Sequence, residues 1–483
     1  MSAKLSADYV VVGAGAMALA FIDTMLDETD ADFIMIDRYD RPGGHWCVAY
    51  DFVRLHQPSD NYGVNSRVLG NSQVEETGFN AGLLELASGP EILEYFDEIV
   101  REKFIASGRV RYLPRTEYLG DGLIRSLDDG TEQTVEARRR LVDSTYMKVT
   151  VPSVTPSPFG IHDGARVIPP NKLSSDNERA QRYVVIGGGK TSIDAVLYLL
   201  EHDVKPEAIS WVMPRDAWLI NREVAQPGER FRERSDNYQA AIAESWMSAT
   251  SMDELYDNFN RVNYWLRLSD EVRPTSFRCA TVTVKELHAI REVSDVMRQG
   301  HVRAVSPREM EFHNGEHRSF AEEDVLYIDC TANGLERRDP VPVFNDGRIV
   351  LQPVVYCQQV YSAAFIGYIE SRDISDEQKN ELTVPSHHPD TDVDYLKAML
   401  RNLRSELLWS YDPEIVQWRQ DARLAGFATR IGTPLPPAGP QREEALEKKR
   451  ARFSATIAQI ERFLEKLGEE VPESQPLAQV TQS

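Results

Sequence analysis

Two glycine-rich turns constrain this chain more than any other feature: Gly13-Ala14-Gly15-Ala16-Met17-Ala18 near the start and Gly187-Gly188-Gly189-Lys190-Thr191-Ser192 further on. Each follows an apolar, β-branched run, Tyr9-Val10-Val11-Val12 or Tyr183-Val184-Val185-Ile186, and each opens an apolar-periodic stretch that reads as a helix. Strand, tight turn and helix in that order form the context in which backbone N–H groups and a helix N-terminus hold a pyrophosphate. The first glycine permits the turn, the second lets backbone approach the phosphates, and the third small residue lets helix pack on strand. Two such units predict an α/β protein with two Rossmann-like halves. Each half would take one dinucleotide, with electrons passing between the two.

The ends of the next strands set the two halves apart. Asp37 closes the apolar run Phe33-Ile34-Met35-Ile36, near the roughly 20-residue offset at which a carboxylate takes a ribose hydroxyl. An acid there disfavours a 2′-phosphate and suits FAD or NAD; the other reading is a solvated strand-end aspartate. In the second half the run Ile209-Ser210-Trp211-Val212-Met213 leads to Pro214 and Arg215. A guanidinium forks onto a phosphate, so Arg215 favours NADPH over NADH, against the alternative of an ordinary surface arginine. Gly189-Lys190-Thr191 is not a nucleoside-triphosphate loop, because Val184 stands where that pattern needs its first glycine.

Composition bounds the partners. A chain of 483 residues that is 42% hydrophobic can build two or three domains. Its formal net charge of -22 argues against nucleic acid or an anionic membrane as main partner. The apolar run from Tyr9 to Ile22 holds the fingerprint glycines, so it is not read as a secretory segment. No run reaches the roughly 20 apolar residues of a membrane span, and a soluble, cytoplasmic protein is expected. Cys47, Cys279, Cys330 and Cys357 lie far apart, with no CxxC or CxxxxC pair and no histidine spacing suited to zinc. That excludes a flavin-to-vicinal-thiol relay, and the cysteines are read as buried or inert.

At Pro42-Gly43-Gly44-His45-Trp46 the pattern becomes more specific. With the first glycine turn, Asp37 and the second turn, it resembles the flavin-containing monooxygenase and Baeyer–Villiger monooxygenase group. More broadly it resembles pyridine-nucleotide-disulfide-oxidoreductase-like flavoproteins, here without the redox-active disulfide. The likeness touches most of residues 8–370 as scattered motifs. It implies that Gly13, Gly15, Ala16, Met17, Asp37, Arg38, Gly44, His45, Trp46 and Thr145 line FAD. It likewise implies that Gly187, Gly189, Lys190, Thr191 and Arg215 line NADPH. Leu141 to Thr145, and Ile328 through Asn333 and Gly334, resemble the strand-end connections between the two halves, whose small residues let backbone come close to flavin. The monooxygenase fingerprint Phe-x-Gly-x-x-x-His is missing, since in Pro158-Phe159-Gly160-Ile161-His162 the histidine comes too soon.

The polar stretch from Leu55 to Ser66 holds the candidate reactive groups. The resemblance implies an asparagine beside the flavin ring, Asn61 or Asn65, and His56 is the candidate proton donor or acceptor near neutral pH. A turn former or a satisfied polar contact is the alternative at each. Trp218, Asn221 and Arg222 are read either as closing over nicotinamide or substrate, or as a surface loop anchored by one tryptophan. The expected activity is that of an FAD-dependent oxidoreductase reduced by NADPH, a monooxygenase acting with O2 on a small organic substrate. A reductase without oxygen insertion and a non-catalytic flavin-binding redox sensor are the other readings.

The expected organisation is a first FAD-binding part over 1–164 and an NAD(P)H-binding part over 165–325. The latter carries a helical insertion near 237–266 that is either core, interface or a cap over the substrate cavity. A second FAD-binding part covers 326–390, a helical region that docks on the body or on another subunit covers 391–468, and a disordered tail covers 469–483. A homo-oligomer through the C-terminal helices is the expected assembly.

Overall fold

The computed structural model describes residues 4–174, 179–332, 334, 338–386, 388–426 and 431–472. Continuous apolar runs such as Phe33–Ile36 and Ile209–Val212 are buried along their whole length, as parallel strands covered on both faces must be. They build two sheets of matching plan. In the first, Val110–Leu113, Phe33–Ile36, Leu5–Val12, Glu132–Asp143 and Arg348–Val350 lie side by side and parallel. In the second, the order is Asp295–Met297, Ile209–Val212, Arg182–Ile186, Val325–Asp329 and Arg166–Ile168, again parallel throughout. The middle strand of each sheet runs into a glycine turn and then a helix, Ala16–Glu28 or Lys190–Glu201. The protein is therefore α/β with two Rossmann-like halves.

The chain crosses between the halves twice, and the first sheet takes a strand from beyond the second crossing. Arg348–Val350 returns to the first sheet after the second half is complete, beside Glu132–Asp143. Gly160–Ile161 pairs with Val302–Ser306, so this short segment belongs to the second half rather than to the first, where a boundary at 164 had put it. Each half also carries an antiparallel meander before its long return strand: Thr116–Gly120 with Leu123–Ser126, and Val302–Ser306 with Glu309–Phe312 and His317–Ser319. The Gln359–Ser371 helix packs on Ala16–Glu28 with a close approach at Gly367, where a Cβ would meet the Phe21 carbonyl at 3.1 Å.

The insertion forms helices Arg232–Ser248 and Met252–Arg261. Its stripe, with Trp246, Leu255, Tyr256 and Phe259 buried, is core: these side chains share one cluster with Trp218, Trp265, Phe277, Tyr395, Phe453 and Phe463. Helices Asp392–Trp409 and Pro440–Leu467 supply the other side of that cluster. The apolar stripe of the last helix is thus consumed inside the chain. Residues 217–221 form a strand between Trp265–Leu266 and Ser276–Val282, not a loop, because its apolar side chains pair across the sheet. Glu469 ion-pairs with Lys397 at 2.8 Å, so the segment beyond the last helix begins docked; residues from 473 lie outside the described ones. Among the described residues no helix is long and apolar enough to cross a membrane.

Candidate functional site

The first turn is built by close approach. Gly13 has φ +99°, and a Cβ there would sit 2.5 Å from Ser144 Oγ, so only glycine fits. Ser144 follows the long return strand and accepts this proximity because its hydroxyl donates to the Val12 carbonyl at 2.6 Å. Gly44, at φ +59°, lies against the same turn: a Cβ there would meet Gly15 Cα at 3.1 Å, and Gly43 N–H donates to the Ala14 carbonyl at 2.9 Å. Two glycine loops are therefore stacked backbone to backbone at the N-terminus of the Ala16–Glu28 helix, where Met17 is buried and Ala16 partly so. Asp37 is buried at the strand end and accepts from Ala14 N–H and, at 2.8 Å, from Tyr39 N–H. Burial pushes its carboxyl above the ordinary range, and the two N–H groups pull against that. Arg38 points outward toward Glu117 at 3.7 Å.

Beside this turn, Trp46 Nε1 donates to the Tyr62 hydroxyl at 2.7 Å, and burial holds His45 neutral with its pKa lowered to about 4. Thr145 turns back on its own strand end, its N–H and hydroxyl both donating to Asp143 Oδ1. Its methyl stands 3.1 Å from where a Cβ on Gly13 would be. Asn333 lies outside the described residues, and Gly334 is exposed.

The second turn repeats the plan with different chemistry. Gly187 has φ +142°, and a Cβ would strike the Cys330 carbonyl at 2.6 Å, the counterpart of Ser144 at the first turn. The Trp211 indole donates to the Gly187 carbonyl at 2.8 Å from a fully buried position. Gly189 caps the Lys190–Glu201 helix with open space where its Cβ would be. Lys190 pairs with Asp194 on the next turn of that helix. Arg215 holds both oxygens of Asp390, at 3.0 and 2.9 Å, and Arg278 reaches the same carboxylate at 3.3 Å. Two guanidiniums thus converge on one anionic group just beyond the turn. A cavity of about 10 Å³ under Gly188, between Trp211, Met213 and Ile193, has room for one water at most.

The two turns meet across a seam. Tyr50, in the segment after Gly44, donates to Asp194 Oδ2 at 2.7 Å, and burial with that carboxylate keeps the phenol protonated far above its usual pKa. His56 accepts from Thr281 N–H at Nδ1 (3.3 Å), which leaves the proton of the neutral ring on Nε2. Burial, then the charges of Lys190, Arg222 and His388, press its pKa down to about 3. His56 is therefore not an acid or base that titrates near neutral pH, as its sequence reading expected; it is a neutral donor.

Arg222 closes over neither nicotinamide nor substrate. It is fully buried and donates to the His56 carbonyl, Asn80 Oδ1, the Thr281 carbonyl and Glu286, tying the two halves together. Asn65 is also structural: it accepts from Leu424 N–H at 3.0 Å and donates to Thr24 Oγ1 at 3.4 Å. Both its nitrogen and its oxygen are thus engaged by protein groups. Asn61 differs, being fully buried with neither amide atom satisfied among the described residues. Tyr50, Asp194, Arg278 and Asp390 had no sequence signal, because each acts through a partner distant in the chain.

The cysteines depart furthest from expectation. Cys47 is pushed up to about 11 by burial and the Asp37 charge, and Cys330 is buried and raised well above its usual value, so both thiols stay protonated at ordinary pH. Cys279 and Cys357 are joined, with Cα atoms 6.4 Å apart. His388 Nδ1 lies 3.9 Å from Cys279 Sγ. Sequence spacing missed the pair because residues 279 and 357 are brought together only by the packing of the halves.

No family model matches the chain. It is 43% identical over 462 residues to uncharacterized protein Rv2000 of Mycobacterium tuberculosis, covering 95% of this chain and 85% of that protein. Uncharacterized protein Mb2023 of Mycobacterium bovis gives the same figures. Among solved structures, OTEMO in complex with FAD and NADP is 15% identical, with 78% of this chain and 86% of that one covered and a TM-score of 0.47. Cyclohexanone monooxygenase from Rhodococcus sp. Phi1 bound to NADP+ is 13% identical, with 95% and 98% covered and a TM-score of 0.44.

Proposed function

The chain belongs to the family of uncharacterized protein Rv2000 of Mycobacterium tuberculosis, and from its own seam we propose that it is an FAD-dependent oxidoreductase reduced by NADPH. One observation carries the reading. Two parallel sheets of matching strand order each end their middle strand in a left-handed glycine turn, and Tyr50 and Asp194 bridge the two. When bound, NADPH would supply a hydride and FAD would accept it and pass the electrons on.

The residues present fit that pair of ligands. The turn from Gly13 to Gly15 leads into the N-terminus of the Ala16–Glu28 helix, whose backbone N–H groups would hold a pyrophosphate, and Asp37 takes the ribose hydroxyls with lone pairs its two N–H donors leave over. At the other turn, Gly189 opens the helix end, and Arg215 with Arg278 takes a 2′-phosphate in place of Asp390. The neutral His56 offers an Nε2–H at the seam without bringing a charge, and Trp46 with Tyr62 walls the first turn against water. Monooxygenation of a small organic substrate is the finer reading, and Asn61, buried with neither amide atom satisfied among the described residues, is the residue proposed to face the reacting oxygen. The engagement of Asn65 favours the second reading, a reductase that passes electrons to a carbonyl, imine or quinone.

The test is to purify the protein, identify its bound flavin, and follow bleaching by NADPH and by NADH without air before admitting oxygen. Fast bleaching by NADPH followed by oxygen uptake coupled to substrate supports the monooxygenase. Reoxidation that releases peroxide, or is insensitive to any substrate, supports the reductase. A colourless protein that takes up no flavin overturns both.

A further inference from the structure

We propose that Cys279, Cys357 and His388, once the sulfur pair is reduced, form a binding site for one soft divalent cation of the zinc class. The two sulfurs, joined in this structure, and an imidazole nitrogen all lie within 4.8 Å of one another. They come from three separate places: a strand of the second half, the residue before the Gln358 cap of the Gln359–Ser371 helix, and the segment leading to Asp390. No local motif gathers them. The fold does.

The backbone is arranged for this convergence. The register between Ala217–Asn221 and Ser276–Val282 shifts around Cys279, Trp218 pairing with Phe277 but Ile220 with Thr281. A bulge of this kind re-aims a side chain. Cys279 has φ +51° and Cys357 φ +60°, a region costly for any residue with a Cβ and concentrated at functional positions. Two such residues direct their sulfurs to one point. A crosslink needs two of the three groups; the imidazole beside Cys279 is the third, and it distinguishes a metal site from a staple.

The chemistry balances without help from the flavin. A phosphine reductant takes the oxygen of one water to become phosphine oxide, the S–S bond breaks, and both hydrogens of that water end on the two thiols. Zinc then replaces the two thiol protons, which are released to solvent. Two thiolates neutralise the dication, neutral imidazole is the third donor, and soft ligands select zinc over magnesium or calcium. Three protein donors leave the fourth tetrahedral position to a water or a substrate atom, as in open zinc sites.

The experiment uses the full chain. Protein reduced with a phosphine under inert gas is loaded with zinc, gel-filtered and analysed for metal per chain, with proton release followed in parallel. The expected result is one equivalent of zinc in reduced protein, none in oxidised protein, and at least a tenfold weaker site in Cys279→Ser, Cys357→Ser and His388→Ala, with Cys47→Ser unchanged. If the cysteine variants do not fold, His388→Ala alone decides, since it leaves both sulfurs in place. Reduced protein that gains two thiols but holds no stoichiometric zinc, or His388→Ala that binds as tightly as the parent, overturns the proposal and leaves a plain crosslink. The readout does not involve flavin, so it stands or falls separately from the proposed function.

Discussion

The two glycine turns share one backbone plan and differ in what their strand ends offer. At the first, a buried carboxylate folds back on the turn and binds the Ala14 N–H. At the second, the strand end carries Arg215, and the carboxylate it holds comes from Asp390, far along the chain. The first turn presents acceptors, the second donors. A ribose with free hydroxyls and a ribose carrying a phosphate need these opposite linings, and on that contrast the proposed division of ligands rests.

The largest expected effect comes from filling the first turn. Gly13→Ala puts a methyl against Ser144 at a left-handed φ; flavin content of the purified protein should fall at least tenfold, read from its visible absorbance. Gly187→Ala should leave the flavin in place and abolish bleaching by NADPH, because its clash is with the Cys330 carbonyl. If both variants lose flavin alike, the division between the turns is wrong. Next is the tie between the halves. Arg222→Met strands the Glu286 carboxylate, and denaturant titration should show a loss of about 3–5 kcal/mol, the usual cost of breaking a buried ion pair.

Arg215→Ala sharpens the comparison at the second turn. The KM for NADPH should rise about tenfold, the worth of one good charge-assisted contact, while the KM for NADH stays unchanged. The smallest effect is at Asp37. Its folded pKa is raised by burial, so its stabilising contribution is present below the unfolded value of 3.8 and is lost as pH rises through the folded one. The melting temperature of the flavin-free parent should therefore gain on that of Asp37→Asn, which has no such titration, as the pH falls toward 3.8, and the variant should bind flavin less tightly.

Much of the fold was legible because parallel strands and their turns are written in consecutive residues. The runs before Gly13 and Gly187 and the helical insertion all follow from local pattern. What the pattern could not reach was pairing across the seam. The strand through Trp218 and Asn221 goes unread because a short strand between two turns has too few alternations to show its period. Arg222 looked like a ligand-facing cation, since an arginine's burial depends on Glu286 and Asn80, which no spacing reveals. His56 carried the residue type of an acid–base group, but its environment removed the charge. Cys279 and Cys357 were separated by a whole supersecondary unit and are neighbours only after the halves pack.

The saturated guanidinium of Arg222 also governs how the molecule can breathe. With its donors spent on a carbonyl beside the first turn's polar loop and on the strand and helix of the other half, that point behaves as a rivet rather than a bearing. Relative movement of the two halves is therefore most restricted where this side chain sits.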